Sequence, residues 1–156
     1  MEGETEMVFK EEKRNIFEVD TFKYALAHCV SLDCAMGAGI AVDFQNKYNL
    51  RNVVKTRSNG EMGECITFAR FINNDKCKRE LVFNLMTKKL YWHKPTYDSL
   101  TKALFSMKQE CEKLDVKYLA MPKIGCGLDR LQWGRVREII HDVFDDMDIE
   151  ILVCYL

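Results

Sequence analysis

The stretch Ile149-Glu150-Ile151-Leu152-Val153-Cys154-Tyr155 is apolar at almost every position. A strand with one face in water alternates apolar and polar residues, whereas a strand without alternation must be covered on both faces. Such a strand belongs inside a sheet, with helices packed above and below it. Two further segments supply helices of the required kind. In Tyr97–Leu114 the residues Leu100, Leu104, Met107, Cys111 and Leu114 recur at spacings of four and three and form one apolar stripe. Thr96 is placed to cap this helix, with Asp98 favourable in its first turn. Trp133, Val136, Ile139, Ile140, Val143 and Phe144 define the buried face of the second.

Between them lie shorter apolar runs that read as strands: Met7 to Lys13, Tyr24 to Val30, Cys65 to Phe71, Leu81 to Met86 and Tyr118 to Met121. A helix from Ala38 to about Tyr48 follows the second strand, and the polar stretch Asn73 to Glu80 reads as a hairpin loop. Strands that alternate with helices specify an α/β fold in three layers, helix on sheet on helix. The initial pair of strands and the hairpin would make its sheet mixed. No repeat, low-complexity tract or linker divides the 156 residues, so one domain over 7–156 is expected, preceded by a disordered acidic N-terminus at 1–6.

Several function classes are disfavoured by composition. No segment holds the roughly 20 apolar residues of a membrane span, and Met1 to Glu6 resembles neither a signal nor a transit peptide. An intracellular protein of nucleus or cytoplasm, with no membrane association, is the expectation. The seven cysteines are odd in number and contain no CxxC, which suits small buried hydrophobes better than disulfides or zinc ligands. The three histidines show no zinc-type pairing, so no metal is expected. The net charge of −1, with no dense basic run, argues against direct nucleic-acid binding. An anionic ligand would then be held by backbone amides rather than by a basic patch.

The glycines provide such amides. Met36-Gly37-Ala38-Gly39-Ile40-Ala41 and Ile124-Gly125-Cys126-Gly127-Leu128-Asp129 each follow a strand and precede a helix. Glycine lets backbone N–H groups approach a ligand, and a helix N-terminus favours negative charge. In open α/β sheets ligands bind beyond the carboxyl ends of the strands. Either loop alone reads better as a tight turn; the two together favour a diphosphate. The first lacks the third glycine of a dinucleotide fingerprint and the Lys-Ser/Thr of a P-loop.

Two side chains stand near these loops in the sequence. Lys88 follows a strand at its carboxyl end, where it is either a solvated charge or an amine that attacks a sugar carbon. Asp129 precedes Gln132 by three residues, a capping-box pattern at the start of the last helix. A carboxylate at a phosphate loop repels its ligand, so a catalytic duty is the competing reading. Cys34 and Cys126 with His28 as base form a weaker alternative, since nothing sets a histidine beside either cysteine.

These segments resemble the macro domain family, and within it the macro domains that hydrolyse terminal ADP-ribose from proteins and deacetylate O-acetyl-ADP-ribose. The resemblance is carried by Ala27-His28-Cys29-Val30-Ser31-Leu32-Asp33-Cys34 through Val42, by Thr87-Lys88-Lys89 with His93-Lys94-Pro95-Thr96-Tyr97, and by Met121-Pro122-Lys123-Ile124-Gly125-Cys126-Gly127-Leu128-Asp129-Arg130-Leu131-Gln132-Trp133. It runs from about residue 7 to the C-terminus, with gaps between about 49 and 80. It implies a three-layer α/β/α macro-domain sandwich with a mixed sheet of about six strands and ADP-ribose across the strand ends. The family's lysine nucleophile falls on Lys88 and its acid/base aspartate on Asp129. Its ligand contacts fall on Ile16, Ser31, the loop Lys123, Ile124, Gly125, Cys126, Gly127 and Leu128, and the terminal Leu156; Gly37 and Gly39 complete the proposed phosphate cradle. Many macro domains carry Gly-Asp after the first strand, the aspartate holding the adenine amino group. Here Arg14-Asn15 stands there, and the Asn15 oxygen accepts without a charge.

The implied function is release of ADP-ribose from proteins modified on glutamate or aspartate, by a monomer without cofactor or metal. The partners are ADP-ribose and ADP-ribosylated proteins. A reader that binds ADP-ribose without turnover, and a phosphatase acting on ADP-ribose phosphate, would need the glycine loops but leave Lys88 without a role.

Overall fold

The computed structural model describes residues 6–72, 75–127 and 130–156, and for 75–77 the backbone alone. The first five residues of the expected disordered N-terminus lie outside the described residues, as do Leu128 and Asp129. The elements run β1 (Met7–Lys13), a 3-10 turn (Ile16–Glu18), β2 (Ala25–Ser31), α1 (Ile40–Tyr48), α2 (Arg51–Arg57), β3 (Cys65–Ile72), β4 (Asp75–Lys88), α3 (Tyr97–Lys113), β5 (Tyr118–Met121), α4 (Trp133–Phe144) and β6 (Ile149–Tyr155).

Six strands form one sheet in the order β1-β6-β5-β2-β4-β3. The run Ile149–Tyr155 is internal, parallel to β1 on one side and to β5 on the other. Its alternate residues enter two different cores, as its lack of alternation requires. Ile149, Ile151 and Val153 pack with Leu100, Leu104 and Met107 of α3 and Val136, Ile140 and Phe144 of α4. Leu152 and Cys154 face the other layer with Phe44 and Tyr48 of α1 and Val54 of α2. β2 and β4 divide their side chains in the same way.

The sheet is mixed through the hairpin, as expected, but not through the initial pair of strands. β1 and β2 are not neighbours, and both run parallel to their partners; only β3 is antiparallel, paired with β4. The hairpin is also longer than its apolar core suggested. β4 begins at Asp75, so most of the polar stretch assigned to a loop is strand. Arg70 and Glu80 pair across β3 and β4 at 2.6 Å, and Thr21 donates to the same carboxylate at 2.6 Å. Charged partners replace apolar ones at this sheet edge. The two-turn helix α2 gave no periodic signal, because Val54 is its sole buried residue.

Parallel order puts the carboxyl ends of β1, β6, β5, β2 and β4 on one edge. Lys13, Tyr155, Met121, Ser31 and Lys88 therefore close their strands on the same side of the molecule.

Candidate functional site

A cleft of about 410 Å³ opens at that edge, over the ends of β2, β4 and β5. Both glycine loops line it, Met36 to Ala41 on one wall and Pro122 to Gly127 on the other. Ser31, Gly37, Gly39, Lys88, Lys123, Ile124, Gly125, Cys126 and Gly127 are thus brought together in one cleft.

The first loop owes its shape to backbone conformations that side chains disfavour. Cys34 (φ 56°), Met36 (φ 45°) and Gly39 (φ 61°) all lie in the left-handed region. For the two non-glycines this costs roughly 1–2 kcal/mol each, which surrounding bonds must offset. Arg51, from the helix the sequence did not reveal, donates Nε to the Cys34 carbonyl at 3.0 Å and Nη2 to the Ala35 carbonyl at 2.7 Å. Asp33 holds the other side, accepting from the Ala35 N–H at 3.2 Å and from the Ser31 hydroxyl. One guanidinium thus holds two successive carbonyls of the loop. Gly39 stands at the N-cap of α1 without a side-chain cap, so the positive end of that helix faces the cleft.

Lys88 is the last residue of β4 and is half-buried in the cleft wall. Its backbone is fixed from two directions. The Lys88 carbonyl accepts from Leu32 N–H at 2.9 Å, just past an irregularity in the β2–β4 register. One residue earlier the Thr87 carbonyl accepts from Ser99 Oγ at 2.7 Å. Ser99 also completes a capping box with Thr96, so the start of α3 and the end of β4 are one hydrogen-bonded unit.

Asp33 was not singled out from the sequence, yet it joins three segments of the site. Its second oxygen accepts from the Tyr91 N–H at 2.9 Å, which ties the loop after β4 to the loop after β2. Partial burial pushes its pKa up, but the Ser31 hydroxyl, the Tyr91 and Ala35 N–H groups and the Lys88 charge outweigh that and hold it below the usual carboxylate value. Tyr91 and Lys94 also line the cleft and were missed as site residues. No periodicity marks them, since they lie in a loop.

Asn15, Ile16 and Leu156 sit apart from this cleft. They follow β1 and β6 on the same sheet edge, joined by the Arg14 N–H to the Tyr155 carbonyl at 2.9 Å. Asn15 Oδ1 accepts from Phe17 N–H at 2.9 Å and caps the 3-10 turn. Ile16 is buried in the α1–α2 core, and Leu156 is 90% exposed. Lys123 links the two areas, its ammonium 4.6 Å from the Tyr155 ring centroid.

The alternative chemistries lose ground. His28 Nε2 meets Asn84 Oδ1 at 2.7 Å, and its ring stacks on Phe44 at 4.0 Å, within the core. Cys34 is buried, and burial raises its pKa, which disfavours the thiolate. No group of metal-ligating residues occurs among the described residues. The N-cap of α4 is Gln132, with no side-chain cap bond, and the capping reading of Asp129 lies outside the described residues.

The macro domain family model matches residues 27–140. The human protein named ADP-ribose glycohydrolase OARD1 is 45% identical over 133 residues, covering 83% of this chain and 80% of that protein. The macrodomain of Thermus aquaticus DarG superposes with a TM-score of 0.81 at 21% identity, covering 96% of this chain and 99% of the other. Thermosipho africanus DarTG in complex with ADP-ribose gives a TM-score of 0.72 at 18% identity over 89% of this chain and 40% of that one. A six-stranded sheet between two helical layers, two glycine loops over its strand ends and this sequence identity together make the chain a member of the macro domain family.

Proposed function

We propose that this chain is an ADP-ribose glycohydrolase, which releases ADP-ribose from proteins modified on glutamate or aspartate and also deacylates O-acetyl-ADP-ribose. The observation that carries this reading is the position of Lys88, in the wall of the same cleft that both glycine loops line. A diphosphate between the loops sets the distal ribose toward the end of β4, where an amine is the available nucleophile. The relative named a glycohydrolase supports the same chemistry. A module that only reads ADP-ribose would not need a lysine anchored through Leu32 and Ser99.

In the reaction, the neutral Lys88 amine bonds to the anomeric carbon of the distal ribose while the bond from that carbon to the protein carboxylate breaks. The carboxylate leaves with its electron pair, and Asp129 takes the proton that the new C–N bond displaces from nitrogen. Water then attacks the anomeric carbon as Asp129 returns its proton to the departing Lys88 nitrogen; the proton that water sheds passes to solvent, and ADP-ribose departs.

Lys88→Ala is expected to abolish release of ADP-ribose from a glutamate-modified protein and to leave ADP-ribose binding intact by calorimetry. Asp129→Ala is expected to accumulate an adduct, visible as added intact mass, with peptide mapping to Lys88. Full turnover by Lys88→Ala, or an adduct on Lys89 or Lys94, would remove this mechanism.

A further inference from the structure

The loop from Leu90 to Lys94 separates two hollows. Tyr91 lines the glycine-loop cleft, whereas the adjacent Trp92 lines a second hollow of about 340 Å³. Lys88 and Lys94 form part of both walls, so the two spaces meet at the residue assigned the nucleophile. The second hollow has a different character. Trp92 is 64% exposed and Met62 46% exposed, two apolar surfaces left open to water beside Lys88, Lys89 and Lys94. No carboxylate stands among its described lining residues.

Its inner wall carries one more observation. Thr87 is 1% exposed, and its Oγ1 has no hydrogen-bond partner among the described residues. Buried hydroxyls are nearly always paired. One left unmet in a cavity wall is positioned for a donor or acceptor that a ligand brings.

We infer that the second hollow docks the polypeptide that carries the ADP-ribose. It would seat the residues flanking the modified carboxylate: an apolar side chain against Trp92 and Met62, an acidic one against Lys89 and Lys94, and a backbone amide or carbonyl at Thr87 Oγ1. The inference rests on the glycohydrolase reading and extends it to the substrate beyond the sugar. Continuity through Lys88 puts the hollow where chain leaving the scissile bond must pass. Exposed aromatic surface ringed by one sign of charge suits a peptide of mixed apolar and acidic character. A nucleic-acid strand would call for a longer basic track than this chain, of net charge −1, provides.

The test compares two substrates that share the ADP-ribose. One is a peptide bearing ADP-ribosyl-glutamate flanked by leucine and aspartate; the other is O-acetyl-ADP-ribose, whose acetyl group is too small to reach Trp92. Trp92→Ala and Lys89→Glu should each raise KM for the peptide by about ten-fold, the scale of one anchoring residue at an interface, and leave the KM for O-acetyl-ADP-ribose unchanged. Thr87→Val, which keeps the shape and removes the hydroxyl, should raise the peptide KM in the same direction. Equal effects on both substrates, or none on the peptide, would overturn the inference and leave the glycohydrolase reading standing. So would variants that lose an ADP-ribosylated oligonucleotide but spare the peptide. A wild-type chain that cleaves neither substrate overturns the reading itself, and this inference with it.

Discussion

Acidification should destabilise this fold through one buried ring. His28 is fully enclosed on β2, between Phe44 of α1 and Asn84 of β4. Burial lowers its pKa from 6.5 to about 4, only partly offset by the hydrogen bond to Asn84. Its Nδ1 has no partner among the described residues, so a second proton there would find no acceptor. The unfolded chain therefore binds a proton below pH 6.5, while the folded one refuses it until about pH 4. Stability is complete above pH 6.5 and is lost as pH falls toward 4, because the unfolded state binds more protons throughout that window. At roughly 1.4 kcal/mol per pH unit of separation, the full loss is about 3 kcal/mol. Between pH 7 and pH 5 it amounts to about 2 kcal/mol, a drop of about 1 M in urea midpoint at the slope usual for small domains. Other carboxylates also respond to acid, so the assay is a difference. Urea unfolding at pH 7 and pH 5 is followed for wild type and for His28→Gln, whose amide can still reach Asn84 but does not titrate. The variant should be less stable at pH 7 and lose about 2 kcal/mol less on acidification. Equal losses in both proteins would refute the argument that His28 is held neutral.

Two further outcomes follow from the loops. Gly125 and Gly127 both have positive φ, but a Cβ on Gly125 would lie 2.8 Å from Leu131 Cδ1, while one on Gly127 meets nothing within 4 Å among the described residues. Gly127→Ala and Gly125→Ala should each cost about 1–2 kcal/mol from backbone strain, read as melting temperatures, since the Leu131 methyl beside Gly125 ends a half-exposed side chain that can turn aside. Asn15→Asp keeps an equivalent cap for the 3-10 turn. If Asn15 faces the base, the added charge should tighten ADP-ribose binding by about 1 kcal/mol in calorimetry, with unchanged affinity as the refuting result.

What the sequence made legible was whatever hydrophobic spacing or glycine chemistry encodes. The double-sided burial of β6, the stripe of α3 with Thr96 at its cap and the convergence of the two glycine loops were all readable, because each is a local pattern with one physical solution. The supports of the site were not. Arg51 stands in a helix with a single buried residue, and Asp33 and Tyr91 meet across 58 positions of sequence. No spacing rule announces such contacts. The inward side of Gly125 was hidden for the same reason: a glycine beside a ligand loop and a glycine against Leu131 look alike in one dimension. Substituting glutamate there tests packing as much as phosphate binding.

The net charge of −1 suggested that backbone amides alone would receive an anion. The folded chain argues otherwise. Lys88, Lys94 and Lys123 all line the cleft, and its described lining residues include no carboxylate. Asp33, bonded to the lining residues Ser31 and Tyr91, spends its oxygens on the Ser31 hydroxyl and on the N–H groups of Ala35 and Tyr91. What draws a ligand is the local field in a concave wall, not the sum over the molecule. Three lysines arriving from β4, from the loop after it and from the loop after β5 are separated by 6 and 29 positions along the chain, so no basic run exists to be noticed. In the proposed reaction Lys94 and Lys123 would share the compensation of phosphate charge, leaving Lys88 to attack the sugar. Capture of the anion and attack on the sugar would then fall to different lysines of one cleft.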